Sequence, residues 1–266
     1  MDFSQNTIQV ALGKHPWSEH IIFLESTDST NTQAKQLVAS GAPEGTVLIA
    51  AHQTAGRGRL GRQFHSPADV GIYMSLILRP RCKPEKLMHL TCAAGIAMCD
   101  AVEEVLTFRP GIKWINDLVY ERKKLAGILV ELLFDPCGNV DAAIVGIGIN
   151  CNHQVQDFPP ELQKIATSVA MITGNTIDRS KLTATIVRHL YRMNQALPHP
   201  INTMARYRMD CVTIGQQVCI HRGDTVRHGL ALSVDEEGGL VVRYDSGETA
   251  TVTFGEVSVR GMYGYV

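Results

Sequence analysis

The sequence lacks several features that would each assign it to a class. It has no apolar run approaching the ~20 residues that span a bilayer, and its first residues, MDFSQNTIQV, lack the basic-then-apolar order of a secretory leader. It has no C-x-x-C pair: its seven cysteines, an odd number, read as reduced thiols of a cytoplasmic chain rather than a disulfide framework. No His/Cys set has metal-ligand spacing, so a protein-held zinc is not expected. An excess of one charge is also missing, since 25 Lys and Arg oppose 26 Asp and Glu for a net charge of −1. That balance argues against a dedicated nucleic-acid binder. Within residues 1–20 only Lys14 is cationic besides His15 and His20, which leaves no basic recognition helix for DNA. Repeats, low-complexity tracts and long charge runs are absent as well.

What remains is an ordinary globular composition, 45% hydrophobic and 19% charged over 266 residues, enough for one large domain or a medium domain with a small one. After a short tail (1–20), HIIFLES reads as a strand and STNTQAKQLVAS as a helix that Ser29 or Thr30 caps and Gly41 closes. GTVLIAAHQ and GIYMSLIL are strands, and Pro84 opens a helix running through EKLMHLTCAAGIAMCDAVEEVL. GIKWIND, LVYERKKLAGILVELL and NVDAAIVGIGIN read as a strand followed by hairpin-connected strands, with turns at Glu121–Arg122–Lys123 and DPCGN. Two helices follow, SKLTATIVRHLYRMNQAL and INTMARYRMD. From residue 211 the texture changes to short β-rich runs between Gly and Asp turns, roughly five strands in about fifty residues, as in a small barrel.

The segment between the second and third strands is the most unusual. QTAGRGRLGRQF alternates Arg57, Arg59 and Arg62 with Gly56, Gly58 and Gly61. Glycine lets a backbone approach a ligand closely, and arginine offers a planar fork matched to carboxylates and phosphates. GRGRLG satisfies G-x-G-x-x-G, but a dinucleotide site needs a helix starting at the third glycine, and here Pro67, Gly71 and a strand-like block follow. A kinase loop would require later H-R-D and D-F-G segments, which do not occur. A solvated turn remains the plain alternative. Other segments argue against it: Lys113, Asn116 and Asp117 in KWIND, Lys124 and Gly127 in KKLAGIL, and Gly146, Gly148 and Asn150 in GIGIN together describe a cavity floor of small residues, amides and cations.

These segments in this order (STN, QTAGRGRLGR, KWIND, KKLAGILVE, GIGIN) resemble the biotin protein ligases over roughly residues 20–266. The resemblance implies an α+β fold: a mixed-sheet catalytic domain of the biotin/lipoate ligase type (21–210) and a small C-terminal SH3-like β-barrel (211–266). It implies ATP-dependent activation of biotin to biotinyl-5′-AMP and transfer of biotin to a lysine of a carboxylase's biotin carboxyl carrier domain, with Mg²⁺ accompanying ATP. The family's repressor-type members carry an N-terminal winged helix for which residues 1–20 have no room, so the ligase-only type without DNA or membrane partners is expected. A homodimer is compatible with the resemblance. A lipoate or octanoate ligase or transferase of the same fold, and a biotin-responsive repressor, are the alternatives.

The resemblance assigns Ser29, Thr30, Asn31, Gln53, Gly56, Arg57, Gly58, Arg59, Lys124 and Gly127 to biotin. It assigns Arg57, Arg59, Arg62, Phe64, Lys113, Asn116 and Asn150 to ATP and the adenylate, and Lys124, Arg59 and Asp117 to the chemistry. Mg²⁺ would lie near Asp117, which otherwise serves to deprotonate the acceptor lysine or to order Lys113. Two positions depart from the family pattern. Phe64 stands where a tryptophan is usual and lacks the indole N–H, and Ile115 stands where proline is common. His52 and His65 flank the loop and match no motif position, which points to surface or packing roles.

Overall fold

In a computed structural model, which describes residues 2–80, 82–197, 202–222, 225–253 and 256–259, the chain builds two sheets. Helix α1 (Gln5–Leu12), strand β1 (Ile21–Thr27), helix α2 (Thr30–Ala39), strand β2 (Val47–Gln53) and strand β3 (Gly71–Leu78) come first. Helix α3 (Leu90–Val105) leads to β4 (Gly111–Lys113), β5 (Asp117–Tyr120), β6 (Lys123–Phe134) and β7 (Val140–Asn150). Helices α4 (Val169–Thr173), α5 (Arg179–Ala196) and α6 (Thr203–Asp210) precede β8 (Gln217–Arg222), β9 (Thr225–Val234), β10 (Leu240–Tyr244), β11 (Thr249–Val252) and β12 (Glu256–Val259). The large sheet has the order β1-β2-β3-β7-β6-β5-β4 and is mixed, β1 running parallel to β2 and the other neighbours antiparallel. The small sheet, β11-β10-β9-β8-β12, is antiparallel throughout. The end of the expected C-terminal barrel, residues 260–266, and Ile201 of the second expected helix lie outside the described residues.

The period-2 alternation of strand side chains divides the large sheet into two unlike faces. Ile72, Met74, Leu76 and Leu78 of β3, with Ala143, Val145, Ile147 and Ile149 of β7, enter the main core with residues of α1, α3 and α5. The opposite face is covered by α2 only at one end, where Ala34 and Val38 meet Ile77, Ala142 and Ile144. Further along that face β7 continues as Gly146, Gly148 and Asn150. There the glycines leave open space that the first residues of α2 and Phe64 only border, and a cavity results.

Two elements differ from the sequence reading. The stretch ahead of Ile21, read as a tail, holds α1, with a reciprocal capping box between Ser4 and Thr7. Phe3, Ile8, Leu12 and Trp17 are buried in the main core. The helix expected from Pro84 onward is split: Pro84–Leu87 forms one 3₁₀ turn, and His89, with φ −81° and ψ 0°, stands outside the helix as the N-cap of α3. The short β5–β6 turn is tight enough to require positive φ at both Glu121 (47°) and Arg122 (64°), the geometry of a two-residue hairpin.

Three hydrogen bonds tie the small sheet and its approach to the KWIND segment. Trp114 Nε1 donates to the Gly238 carbonyl at 2.8 Å and Trp114 N to Thr213 Oγ1 at 2.9 Å, and the Tyr207 hydroxyl donates to the Ile115 carbonyl at 3.1 Å. Gly238 has φ +89°, a conformation that favours glycine.

The packing of α1 is testable. Ile8 is fully buried whereas Val10 is 74% exposed. Ile8→Ala should lower unfolding free energy by about 2–4 kcal/mol, and Val10→Ala should change it by less than about 0.5 kcal/mol. Denaturant melts of the two variants check this, and equal stability would mean that α1 does not belong to the cooperative core.

Candidate functional site

The cavity over Gly127, Gly146 and Gly148 has a volume of about 290 Å³. Its floor depends on those glycines. A Cβ at Gly146 would collide with the Asn31 amide, and one at Gly148 would stand 2.5 Å from the Phe64 ring. At Gly127 a Cβ would lie 3.3 Å from Lys124 Cε and 3.4 Å from Phe64 Cε2. Phe64 thus lies against the sheet because strand glycines let it approach.

One end of the cavity is a connected polar network at the start of α2. A helix begins with backbone N–H groups that lack intrahelical partners. Here the Thr30 N–H is taken by Gln53 Oε1 at 2.8 Å, which also accepts from the Thr30 hydroxyl at 3.1 Å. Ser29 supplies the N-cap backbone but no side-chain cap. Gln53 Nε2 donates to Ser66 Oγ at 2.9 Å, and Ser66 Oγ to the Phe64 carbonyl at 2.9 Å. Asn31 Oδ1 accepts from Ser75 Oγ at 2.6 Å, while Asn31 Nδ2 donates to Glu131 Oε2 at 2.8 Å. Glu131 also pairs with Lys35 at 2.7 Å and Arg57 at 3.5 Å. Burial by itself would raise the Glu131 carboxyl. The hydrogen bonds from Lys35 and Asn31 and the charges of Lys35 and Arg57 prevail and hold it below the usual carboxylate range.

The other end is cationic. The Gly-Arg loop is a miniature hairpin: Arg57 bridges Gln63, Gly58 N donates to the Arg62 carbonyl at 2.7 Å and Phe64 N to the Gly56 carbonyl at 2.9 Å. Leu60 at its tip has φ 56° and Gly61 has φ 75°. Arg59 Nη1 donates to Asn116 Oδ1 at 3.1 Å, and Asn116 Nδ2 donates to the Ile128 carbonyl at 3.0 Å, so the loop is held to the KWIND segment. Lys124 Nζ makes a 2.8 Å ion pair with Asp117 Oδ1 and stands 5.8 Å from the Phe64 ring centre. The described lining includes five Lys and Arg side chains, Arg57, Arg59, Arg62, Lys113 and Lys124, and one carboxylate, Asp117. An interior lined in this way favours a ligand with more than one negative charge.

Of the residues the sequence singles out, Ser29, Thr30, Asn31, Gln53, Arg57, Gly58, Arg59, Arg62, Phe64, Lys113, Asn116, Asp117, Lys124, Gly127 and Asn150 all line this cavity. Gly56 is not in the lining. It is buried under the loop, where a Cβ would meet the Phe64 carbonyl at 2.5 Å and Ser66 Oγ at 2.6 Å. His65, read as a surface or packing residue, also faces the cavity and is anchored by a 2.7 Å hydrogen bond to the Asp157 carbonyl. His52 is 3.3 Å from Ser26 Oγ and outside the lining. The sequence reading missed the wall made by Phe158, Leu162, Ile165 and Ala166. Backbone bonds from Lys124 N to Ile165 O (2.8 Å) and from Thr167 N to Lys124 O (2.9 Å) attach it, and no local motif marks it. Glu131 was missed too, although it follows Gly127 and Leu129 at strand spacing.

Residues 23–150 match the model of the biotin/lipoate A/B protein ligase family, and residues 213–260 that of the biotin protein ligase C-terminal domain. The chain is 35% identical over 252 residues to the bifunctional ligase/repressor BirA of Bacillus subtilis, covering 92% of this chain and 75% of that one. It is 34% identical to the biotin–[acetyl-CoA-carboxylase] ligase of Mycobacterium tuberculosis, covering 87% and 85%. The biotin protein ligase from Aquifex aeolicus in complex with biotin and ATP superposes with a TM-score of 0.77 at 30% identity, covering 90% of this chain and 98% of that one. The chain belongs to the biotin protein ligases.

Behind the 158–166 wall lies a titratable group with a measurable signature. His153 is fully buried and stacked on Phe158, ring centres 5.0 Å apart. Its pKa falls from 6.5 to about 4, chiefly through burial, with the charges of His65 and Arg179 adding to the effect and Asp157 opposing it. Between pH 6.5 and about 4 the unfolded chain therefore holds a proton that the folded chain does not. Stability should drop as pH falls through that window, by on the order of 3 kcal/mol. Relative to wild type, His153→Asn should flatten the dependence by close to one proton in urea melts between pH 4.5 and 7. An unchanged slope would place the proton uptake elsewhere.

Proposed function

We propose that this cavity carries out both half-reactions of a biotin–[acetyl-CoA-carboxylase] ligase, with the roles divided between its two ends. The enzyme activates biotin with ATP and transfers it to a carrier protein. The observation that best supports the division is that five Lys and Arg side chains line the same cavity as the hydrogen-bonded side chains of Thr30, Asn31 and Gln53. Ser29, Thr30, Asn31, Gln53 and Gly127 face the uncharged bicyclic end of biotin, whose polar groups require positioned partners in a buried site. Arg57, Gly58, Arg59 and Lys124 face its carboxylate. Arg62, Lys113, Asn116 and Asn150 lie on the nucleotide side, and Phe64 offers a ring face for the base.

The first step joins two anions. The biotin carboxylate oxygen attacks the α-phosphorus, the bond to the β-phosphate oxygen breaks, and pyrophosphate leaves. Repulsion between the reactants opposes this step, and cations positioned at the join act most strongly on the transition state. Lys124 is held for this role by Asp117, since an ammonium on a flexible stem needs a fixed counter-ion to keep one position. Mg²⁺, if bound, would be held mainly by the phosphates, with Asp117, the one carboxylate of the described lining, as the protein group on its side, and it would supply charge neutralisation. In the second step the acceptor lysine amine attacks the acyl carbonyl and AMP leaves, with orientation supplying most of the gain. The acceptor is a biotin carboxyl carrier domain, and the working compartment is the cytoplasm, where the free thiols of all seven cysteines are maintained. Helix α1 carries no cation and turns its apolar side into the core, so it offers no recognition surface for DNA.

The test measures biotinyl-5′-AMP formation from biotin and MgATP, with lipoate in parallel, followed by mass spectrometry of a carrier domain. Wild-type enzyme should use biotin in preference to lipoate and add one biotin to the carrier. Lys124→Met should slow adenylate formation by about 100-fold or more, on the order of 3 kcal/mol in the barrier. Lys123, exposed and outside the cavity lining, should tolerate the same change. Equal losses at the two lysines would refute the assignment, and preferential use of lipoate would refute the substrate.

A further inference from the structure

The mechanism above does not use Glu131, although its carboxylate is the best-connected acid beside the cavity. Its side chain is only 19% exposed and accepts from Asn31 Nδ2 at 2.8 Å and Lys35 Nζ at 2.7 Å, with Arg57 Nη2 at 3.5 Å. Asn31 is itself buried and lines the cavity. An asparagine amide can present either its oxygen or its nitrogen to a ligand, and the two are nearly isosteric. Here the choice is dictated chemically. An ionised carboxylate accepts hydrogen bonds and cannot donate one, so the Asn31 NH₂ must face Glu131. Its second N–H is directed at the Leu129 carbonyl at 3.4 Å. The Asn31 oxygen is then turned to the other side, over Gly146 and within 2.6 Å of the Ser75 hydroxyl. A carbonyl oxygen accepts two hydrogen bonds, and Ser75 accounts for one.

We propose that Glu131 is a positioning residue for biotin: by its charge it fixes the Asn31 amide so that this end of the cavity presents an acceptor to a ring N–H of the ligand. The proposal rests on the biotin reading above. It deepens that reading by naming a group that sets which atom of Asn31 the ring end presents. Glu131 acts through Asn31 and touches no reacting atom. Its contact with Arg57 is the longer one, and on the proposed function Arg57 faces the ligand's carboxylate, so the two effects can be separated with a ligand that has no carboxylate.

Isothermal titration of the full chain with biotin and with biotinamide, which keeps the ring and lacks the carboxylate, provides the test. Glu131→Gln preserves volume and removes the charge, leaving the Asn31 amide able to turn over. Biotin and biotinamide should both bind about 10- to 100-fold more weakly to this variant, the range expected when a buried polar group faces the wrong partner (about 1–3 kcal/mol). Lys35→Met, which removes the other strong contact of Glu131 and leaves Asn31 in place, should bind both ligands within about twofold of wild type. A loss confined to biotin would mean that Glu131 works through Arg57 and would overturn the proposal. Unchanged affinities for both ligands, with only a lowered melting temperature, would mean that Glu131 is structural and would also overturn it. Failure of the wild-type protein to bind biotin at all would refute the biotin reading itself, an outcome distinct from either of these.

Discussion

Five positive side chains face one small cavity whose described lining holds a single carboxylate, and that concentration of like charge is the constraint on which the site depends. Asp117 holds Lys124, Glu131 approaches Arg57 from outside the cavity, and Asn116 gives Arg59 a neutral partner. In water such a cluster would be screened, but an interior with low-dielectric walls strengthens it. The rest of the structure follows from this constraint. The cations must be near enough to act together on one anionic group. Lys113 and Lys124 are fixed on strands β4 and β6, whereas Arg57, Arg59 and Arg62 are carried on the loop, the part of the cluster expected to separate from the cavity to admit a substrate.

The glycines meet both requirements. On the sheet side, Gly127, Gly146 and Gly148 remove side chains where β6 and β7 pass under the cavity, so that Phe64, Lys124 and the Asn31 amide reach the backbone. On the loop side, glycines alternate with the arginines, and the hairpin closes through short backbone bonds at Gly58 and Phe64. Charge-assisted hydrogen bonds contribute about 1.5–3 kcal/mol each. Two of them would offset the ordering of a few loop residues at about 1–2 kcal/mol apiece, so closure of the loop is expected to depend on the ligand. On the proposed function, a mixed anhydride formed in such a site would be shielded from water for as long as the loop remained over it.

Much of this was legible in the sequence because the relevant residues are out of character for their positions. Glycines inside strand-like runs and arginines between glycines signal a cavity and an anion before any fold is known, and the sheet places the segments that carry them around one volume. What was not legible has physical reasons. The wall at 158–166 consists of ordinary residues brought in by a backbone pairing between Lys124 and Ala166, a tertiary contact without local trace. Helix α1 is eight residues long, too short to be stable alone; only its packing against the core makes it a helix. The break before α3 turns on the backbone angles of His89, where a capping preference is weak. Glu131 was within reach, since the alternation that puts Gly127 on the cavity face carries it along. A single acid on a strand reads as solvent-exposed until its partners are known.

Ligand-dependent closure of the cationic loop can be measured directly, because Arg57, Arg59 and Arg62 are all trypsin sites in a glycine-rich segment of the kind that opens locally. A time course of limited proteolysis, read by mass spectrometry, should show early cleavage between residues 57 and 62 in the free enzyme, partial protection with biotin and stronger protection with biotin and MgATP. At about 100 times the dissociation constant of a ligand that binds only the closed form, the open population falls by about 100-fold, and cleavage slows in proportion when opening is fast. Nicking at the same rate with and without saturating biotin and MgATP would contradict closure by the ligand's charge, and the loop would then be a solvated turn.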